Sequence, residues 1–344
     1  MLPPWCCSSL GSSCVVLRWG NLKPARLVVM QPCHLAPARI GVNHFRQNFH
    51  GRFIMSEEFR PRRSVLYMPG ANERALEKAT SLDADCLILD LEDATAPDRK
   101  EEARALVADR LRHSDYGHRE LLVRINALDT IWGRDDLAAM ASAGAHGILV
   151  PKVNKASDVL EVVALLEEHG APADLAIWVM METPLAMLAA EEIASSHPRL
   201  KGMVMGTNDL AKDLGAAHTS LRLPMITGLG LCMLAARAHG LAIIDGVFND
   251  IKDEEALRAS CQQGLEMGFD GKTLIHPNQL TPCNDVFAPD DAAIDLARRQ
   301  VAAFDEALAQ GKAVAVVDNK IVENLHVVHA RKILAMADAI AERN

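Results

Sequence analysis

Short apolar runs alternate with longer segments of helical periodicity along most of this chain, beginning near residue 62. The runs are nearly continuous, which is typical of strands buried on both faces of a parallel sheet. Each interval between runs can hold one helix and two loops. There are eight runs, at residues 64–67, 86–90, 121–125, 147–150, 176–180, 203–205, 241–244 and 273–275. Eight such repeats predict an α/β fold, a closed (β/α)8 TIM barrel over residues 62–285.

A further segment, residues 290–344, follows the eighth repeat. Its first part has apolar residues spaced by 3, 4, 3 and 4 positions, which predicts a helix with one buried stripe. A strand at 314–317, a turn at Asp318 and Asn319 and a helix from about residue 325 to 341 are expected next. We expect this segment to form a helical lid or an oligomer contact. The stripe consists of Ile294, Ala297, Val301, Phe304 and Leu308.

Residues 1–54 differ from the rest in composition: they contain no Asp or Glu, six Arg or Lys, and four of the eight cysteines. This composition is typical of an organelle transit peptide, and sequence upstream of a true start at Met55 is the alternative. We exclude this extension from the fold. We expect a cytoplasmic protein, or a mitochondrial matrix protein if the extension is a transit peptide. Reduced core thiols are expected at Cys86, Cys232, Cys261 and Cys283.

The composition argues against two classes of protein. No stretch reaches the roughly 18 uninterrupted apolar residues that cross a bilayer, so we expect no membrane span. The net charge of -9, from 36 basic and 45 acidic side chains, argues against nucleic-acid binding. An ordinary enzyme-sized domain remains.

Charged or titratable side chains stand at the carboxyl end of every predicted strand from the second onward. Reactive groups lie at this end in barrels of this type. A single such charge is usually a helix cap or a solvated loop residue, but a ring of them predicts a shared active site. The ring consists of Asp90, Glu92, Asp93, Arg124, Lys152, Glu182, Asp209, Asp245 and His276.

Glu182 and Asp209 are the best metal candidates in this ring. Oxygen ligands without nearby His or Cys suit Mg²⁺, which keeps water or substrate oxygens in its other positions. Each carboxylate taken alone could instead mark a helix start. Arg124 ends an otherwise apolar strand, and its planar fork fits a substrate carboxylate. An ion pair with the carboxylates after the second strand is the alternative, and both roles are compatible.

Three other arrangements compete with this site. Lys152 could form a Schiff base, as in metal-free aldolases, but the carboxylate pair would then lack a purpose. His326 and His329 could bind a metal, but no third ligand has matching spacing, so solvated helix residues are favoured. The G-x-G at residues 228–230 lacks the third glycine of a dinucleotide motif.

Seven motifs, in order from about residue 62 onward, resemble the citrate lyase β-subunit-like enzymes of the aldolase/citrate lyase barrel superfamily. The resemblance implies a Mg²⁺-dependent lyase that cleaves a malyl-CoA-type thioester into glyoxylate or pyruvate and acetyl-CoA or propionyl-CoA by a reversible Claisen-type reaction. Two alternatives stay open: a malyl-CoA thioesterase with the same site, and a citrate lyase β-type subunit acting on a carrier-bound substrate. The motifs are SVLYMPGANERALEKA, LILDLEDATAPDRK, LVRINALDT, GILVPKV, METPLAM, GTNDLAKDLG and FDGKTLIHPNQL.

The resemblance also implies roles for individual residues. Glu182 and Asp209 would bind Mg²⁺ and, through it, the substrate. Arg124 would bind the carboxylate of the 2-oxo acid and take part in catalysis. Glu92 and Asp93 would organise Arg124 and the waters of the metal.

Two residues of the first motif, Tyr67 and Lys78, match positions that contact the CoA ester in relatives. Arg62 and Arg63 are further candidates, for the CoA phosphates, with a basic surface pair as the alternative. The implied partner is therefore a CoA-thioester substrate.

The C-terminal segment departs from the family pattern. Relatives carry an acid/base Asp in a Gly-x-Met-Val-Asp-x-Pro motif that reaches a neighbouring subunit, so the resemblance implies a homo-oligomer, a trimer or a hexamer. Here Glu323 stands at the Asp position and Leu325 at the Pro position. Because a misplacement of about 1 Å can cost on the order of 100-fold in rate, Glu323 could serve the same role, a shifted one or none. Asp318 is the fallback.

Overall fold

The computed structural model describes residues 59–343, so the expectations for residues 1–54 lie outside the described residues. Eight parallel strands close into a barrel in which each strand pairs with the next and the eighth pairs with the first. The (β/α)8 prediction is therefore confirmed. The strands are β1 (Ser64–Pro69), β2 (Cys86–Asp90), β3 (Glu120–Arg124), β4 (Gly147–Val150), β5 (Ala176–Met181), β6 (Leu200–Met205), β7 (Ala242–Asp245) and β8 (Gly271–Leu274).

Helices between the strands cover the outside of the barrel, as the alternation of apolar runs and helical segments predicts. Short 3₁₀ turns, Pro97–Arg99 and Pro277–Gln279, precede two of them. The helices are α1 (Glu73–Ala79), α2 (Lys100–His113), α3 (Gly133–Met140), α4 (Ala156–Glu168), α5 (Pro184–Leu188), α6 (Ala190–Ala194), α7 (Thr207–Leu214), α8 (Ile226–Ala238), α9 (Glu254–Met267) and α10 (Leu280–Phe287).

Two apolar layers stabilise the barrel. The inner layer forms around the buried ring of Trp178, which packs against inward-facing residues of the other strands. A Cβ at Gly202 would lie 2.2 Å from atoms of this ring, so β6 needs glycine to pass it. The outer layer lies between strands and helices. All four cysteines of the described part are free and buried, as expected of core thiols.

The C-terminal segment has a small apolar core of its own, which includes Phe304, Val322 and Val327. Asp318 and Asn319 have φ values of 50° and 60°, the left-handed conformation that a two-residue hairpin turn requires. The elements are α11 (Asp291–Ala309), an antiparallel hairpin of β9 (Ala315–Val317) and β10 (Lys320–Val322), and α12 (Asn324–Ala341).

The chain just after α12 lies against the amino-terminal end of the barrel. Nη1 of Arg343 is 2.5 Å from Oδ1 of Asp85, the residue directly before β2. Within one chain the last helix is therefore held at the end of the barrel opposite to the predicted active site. Leu308 is 52% exposed, so the buried stripe of α11 is shorter than expected. None of the described helices is both long enough and apolar enough to cross a bilayer.

Candidate active site

A cavity of about 320 Å³ opens at the carboxyl ends of the strands. Charged residues of four strand ends meet there, as the ring of polar residues predicts. Tyr67 of β1 adds an aromatic wall. The charged lining residues are Asp90, Asp93, Arg124, Glu182 and Asp209.

A buried ion pair forms one side of this cavity. Asp90, the last residue of β2, accepts hydrogen bonds from Nε and Nη2 of Arg124 at 2.7 and 2.6 Å. The same carboxylate accepts the backbone N–H groups of Glu92 and Ala94, both at 3.0 Å. Asp90 therefore fixes the guanidinium and the following loop together. Since Asp90 takes two of the five N–H groups of Arg124, the guanidinium keeps donors for a substrate carboxylate.

Two further carboxylates surround the same guanidinium. Nη1 of Arg124 lies 2.8 Å from Oε2 of Glu92 and 3.5 Å from Oδ2 of Asp93. The guanidinium carbon lies 4.9 Å from the ring centroid of Tyr67, within the range of a cation–π contact. The structure thus brings Arg124, Glu92, Asp93 and Tyr67 together, as the sequence predicts.

Burial changes the protonation of Glu92. Loss of solvent raises the pKa of this carboxyl to about 8, and the nearby charges of Asp93, Glu182 and Asp90 add to the effect, while Arg124 opposes it. Three carboxylates around one guanidinium cannot all be neutralised by it. Glu92 therefore keeps its proton to a higher pH than an exposed glutamate does.

The second side of the cavity contains the predicted metal ligands. Glu182 follows β5 and is 1% exposed. Its Oε1 accepts the backbone N–H of Lys152 at 2.8 Å. Nζ of Lys152 lies 3.4 Å from Oε1 of Glu182 and 2.8 Å from Oδ2 of Asp209, in the first turn of α7. One lysine thus links the two carboxylates. Burial raises the pKa of Glu182, and the charge of Lys152 partly offsets this rise.

The residues around this pair fit a divalent cation such as Mg²⁺. Gly206 lies directly beside Glu182: a Cβ at this position would lie 2.3 Å from Cβ of Glu182 and 2.6 Å from its Oε2. Only glycine leaves room for this carboxylate. Within residues 59–343 no group of three or more His, Cys, Asp or Glu side chains is arranged to hold a metal. Glu182 and Asp209 would supply two protein oxygens, and Mg²⁺ readily completes such a site with water or substrate oxygens.

Several predicted site residues lie elsewhere. Lys78 is exposed in the last turn of α1 and does not line the cavity. Asp245 is buried between Arg222 and Lys272, with ion pairs of 2.5 and 2.8 Å. His276 accepts the backbone N–H of Asn278 and begins a 3₁₀ turn. Asp90, Arg124, Glu182 and Asp209 therefore line the cavity, whereas Asp245 and His276, at the ends of β7 and β8, do not.

Arg62 and Arg63 lie at the opposite end of the barrel from the cavity. Nε of Arg62 is 2.5 Å from Oε2 of Glu120, the first residue of β3. Arg63 donates to both oxygens of Asp85, at 2.9 and 2.8 Å. The proposal that these arginines bind CoA phosphates is wrong, and so is the alternative of a basic surface pair, because both have carboxylate partners and Arg63 is buried.

Glu323 precedes α12, is exposed and does not line the cavity of its own chain. Its backbone N–H donates to Nδ1 of His326 at 3.0 Å, so this histidine caps the helix. His329 is exposed. Asp318 pairs with Arg299 at 2.7 Å. Contact of this segment with the cavity of a neighbouring chain stays a prediction.

The sequence places Lys152 in the ring of strand-end charges and offers it as a Schiff-base amine, but it does not predict the ion pairs of Lys152 with Glu182 and Asp209. Burial lowers the pKa of Lys152, but the hydrogen bond to Asp209 and the charge of Glu182 outweigh burial and raise the pKa above its usual value. A Schiff base needs the neutral amine. The environment of this lysine therefore disfavours that chemistry.

Comparison with known proteins supports the resemblance. The HpcH/HpaI aldolase/citrate lyase family model matches residues 63–277. A (3S)-malyl-CoA thioesterase of Cereibacter sphaeroides is 60% identical over 287 residues, which cover 83% of this chain and 98% of that protein. An L-malyl-CoA/beta-methylmalyl-CoA lyase of the same organism is 34% identical over 306 residues, 82% of this chain and 96% of that protein.

A solved structure shows the same architecture. The CitE protein of Mycobacterium tuberculosis, crystallised with magnesium, acetoacetate and coenzyme A, is 28% identical and superposes with a TM-score of 0.64. The alignment covers 81% of this chain and 98% of that protein. The barrel, the ordered motifs and these matches together show that the chain belongs to the HpcH/HpaI aldolase/citrate lyase family.

Proposed function

We propose that this protein hydrolyses a malyl-CoA-type thioester to the free acid and CoA, with a Mg²⁺ ion held by Glu182 and Asp209. The observation that carries the proposal is the 60% identity with a (3S)-malyl-CoA thioesterase across 98% of that protein, against 34% with a malyl-CoA lyase. The thioesterase, which the sequence analysis kept as an alternative, is thus favoured over the carbon–carbon lyase.

The residues of the cavity suit such a substrate. Arg124 would bind its free carboxylate with the N–H groups of Nη1 and Nη2 that are not directed at Asp90 or Glu92. Glu182 and Asp209 would hold Mg²⁺, whose positive charge would polarise the oxygens of the bound substrate. The ring of Tyr67 contacts the guanidinium of Arg124 and would border the acyl part of the substrate beside it. These side chains come from different strands, so the barrel fixes their spacing.

Hydrolysis makes a smaller demand on the protein than carbon–carbon cleavage. A water oxygen bonds to the thioester carbonyl carbon and the water gives up its two protons, the C–S bond breaks, and the thiolate takes up one of these protons while the other passes to solvent, which leaves a carboxylate and free CoA. Cleavage of the carbon–carbon bond also needs an acid placed at the enolate carbon. The resemblance implies an Asp for this step, and this chain carries Glu323 at that position.

The test incubates the full chain with (3S)-malyl-CoA, with and without Mg²⁺, and quantifies malate, free CoA, glyoxylate and acetyl-CoA. Malate and CoA in equal amounts are expected, with turnover lost on chelation and in Glu182→Gln. Glu168→Gln, at the exposed end of α4, is the matched control and should keep full activity.

The carbon–carbon lyase is the second candidate, favoured by the lyase relative and by the retained carboxylate at residue 323. Glyoxylate and acetyl-CoA as the main products would replace the hydrolase proposal with this one. Turnover of neither bond would contradict both and direct the search to a carrier-bound substrate.

A further inference from the structure

Lys152 has a backbone conformation that is uncommon for a residue with a side chain. Its φ is 55°, in the left-handed region that favours glycine, asparagine or aspartate. In this conformation its backbone N–H donates to Oε1 of Glu182 at 2.8 Å. The ammonium group turns to the same carboxylate and to Asp209, at 3.4 and 2.8 Å. Main chain and side chain of one residue thus both serve the proposed metal ligands.

We propose that Lys152 is a displaceable counter-ion: its ammonium occupies the carboxylate pair while no metal is bound, leaves when a divalent cation binds, and thereby sets the affinity of the site. The inference rests on the metal site of the proposed function. It goes beyond that function because it assigns a role in cation affinity to a residue outside the ligand set.

The charges of the two carboxylates favour a counter-ion at this position. Glu182 and Asp209 would repel each other if both were ionised and unpaired, and the buried Glu182 could not be relieved by solvent. The ammonium of Lys152 supplies one positive charge between them. A divalent cation needs the same oxygens at about 2.1 Å, the distance of Mg²⁺ to its ligands. The cation and the ammonium therefore compete for one position.

The ammonium of Lys152 has room to leave the carboxylate pair. The side chain of Lys152 is 39% exposed, so it can move without opening the core. Lys152 also lines a separate cavity of about 400 Å³, on the side of β4 that faces α4. Asp129, Asp158 and Glu161 line that cavity, against one further lysine, Lys155. A displaced ammonium would thus remain among carboxylates.

The backbone of Lys152 can stay in place while its side chain moves. The hydrogen bond from the N–H of Lys152 to Glu182 does not involve the side chain. The side chain can rotate away while this bond keeps Glu182 oriented. Exchange of the ammonium for a metal ion then requires no movement of the loop after β4.

The experiment measures Mn²⁺ affinity of the full-length protein by calorimetry and by electron paramagnetic resonance. The variants are Lys152→Met, which keeps the apolar part of the side chain, and Lys152→Gly, which fits the positive φ and keeps the N–H. Both remove the ammonium, and both should bind Mn²⁺ about tenfold tighter than the wild type. Lys152→Arg keeps the charge and should not show the gain.

Lys155→Met is the matched control, because it removes an equal charge from an exposed lysine three residues away. Its affinity should equal that of the wild type. A second readout is thermal stability: without metal Lys152→Met should melt below the wild type, and saturating Mn²⁺ should remove most of this difference, because the ammonium no longer contacts the carboxylates once the metal is bound.

The outcomes separate the two proposals. Equal or weaker Mn²⁺ binding by both Lys152→Met and Lys152→Gly, with clear binding by the wild type, would overturn the counter-ion role and leave the metal site intact. Failure of all variants and of the wild type to bind Mn²⁺ would overturn both. Tighter binding by Lys155→Met as well would show that any nearby positive charge weakens Mn²⁺ binding. That result would also overturn the counter-ion role.

Discussion

Gly206 offers a direct test of the geometry around Glu182. In Gly206→Ala the new methyl group would lie 2.3 Å from Cβ of Glu182 and 2.6 Å from its Oε2. The carbon contact is the severe one, because a Cβ atom cannot move without its backbone. Glu182 is 1% exposed and its Oε1 is bound to Lys152, so the side chain has little freedom to turn aside.

The expected cost follows from overpacking. An extra methyl group in a packed site lowers the free energy of unfolding by about 1–3 kcal/mol. For a contact this short we expect a loss of about 3 kcal/mol, the upper end of that range. For the 285 residues 59–343, an unfolding entropy of about 2.1 cal/mol/K per residue gives about 0.6 kcal/mol/K. The melting temperature should therefore fall by about 5 °C. Since Glu182 must also shift, Mn²⁺ affinity should fall at least about tenfold.

The assay combines thermal denaturation with Mn²⁺ titration of the same preparations. Gly230→Ala is the control: a Cβ there meets no atom within 4 Å, and this residue lies inside α8. Alanine in place of a helical glycine should stabilise by about 0.5–1 kcal/mol. The reasoning is refuted if Gly206→Ala melts with the wild type and binds Mn²⁺ equally well.

The remaining predictions concern the charges around Arg124. The pKa of Glu92 is about 8 in the folded protein against 4.5 for a free side chain, so its ionisation opposes folding increasingly as pH rises from about 5 to 8. In metal-free protein these two pKa values correspond to about 4 kcal/mol between pH 5 and pH 8.5, so the melting temperature of Glu92→Gln, relative to wild type, should rise by roughly 6 °C over this range. A difference that stays constant would contradict the raised pKa. Asp90→Asn should cost about 3 kcal/mol in urea denaturation because it leaves Arg124, 7% exposed, without its bidentate partner. With Arg124→Met the two changes should cost clearly less together than the sum of the single changes, and additive costs would show that the pair is not coupled.

The sequence by itself determined the barrel. All eight strands lie where the apolar runs predict them, and their ends differ by at most three residues, as at β6, which begins at Leu200 rather than at residue 203. Burial on both faces leaves a continuous apolar run, and this is a local signal. The carboxyl ends of parallel strands share one edge, so Arg124, Glu182 and Asp209 could be placed at one site from their positions alone.

Only the tertiary structure decided which charges pair. Arg62 and Arg63 look like ligands for phosphate in sequence, but they precede β1 and therefore meet Glu120 and Asp85 at the amino-terminal end. The partners of a charged side chain are set by strands far apart in sequence, and no local pattern contains that information. The left-handed turn at Lys152 is equally invisible in sequence, because lysine rarely adopts it. Its ammonium reaches Glu182 and Asp209 only because three neighbouring strands end at the same height, and this alignment is a property of the closed barrel.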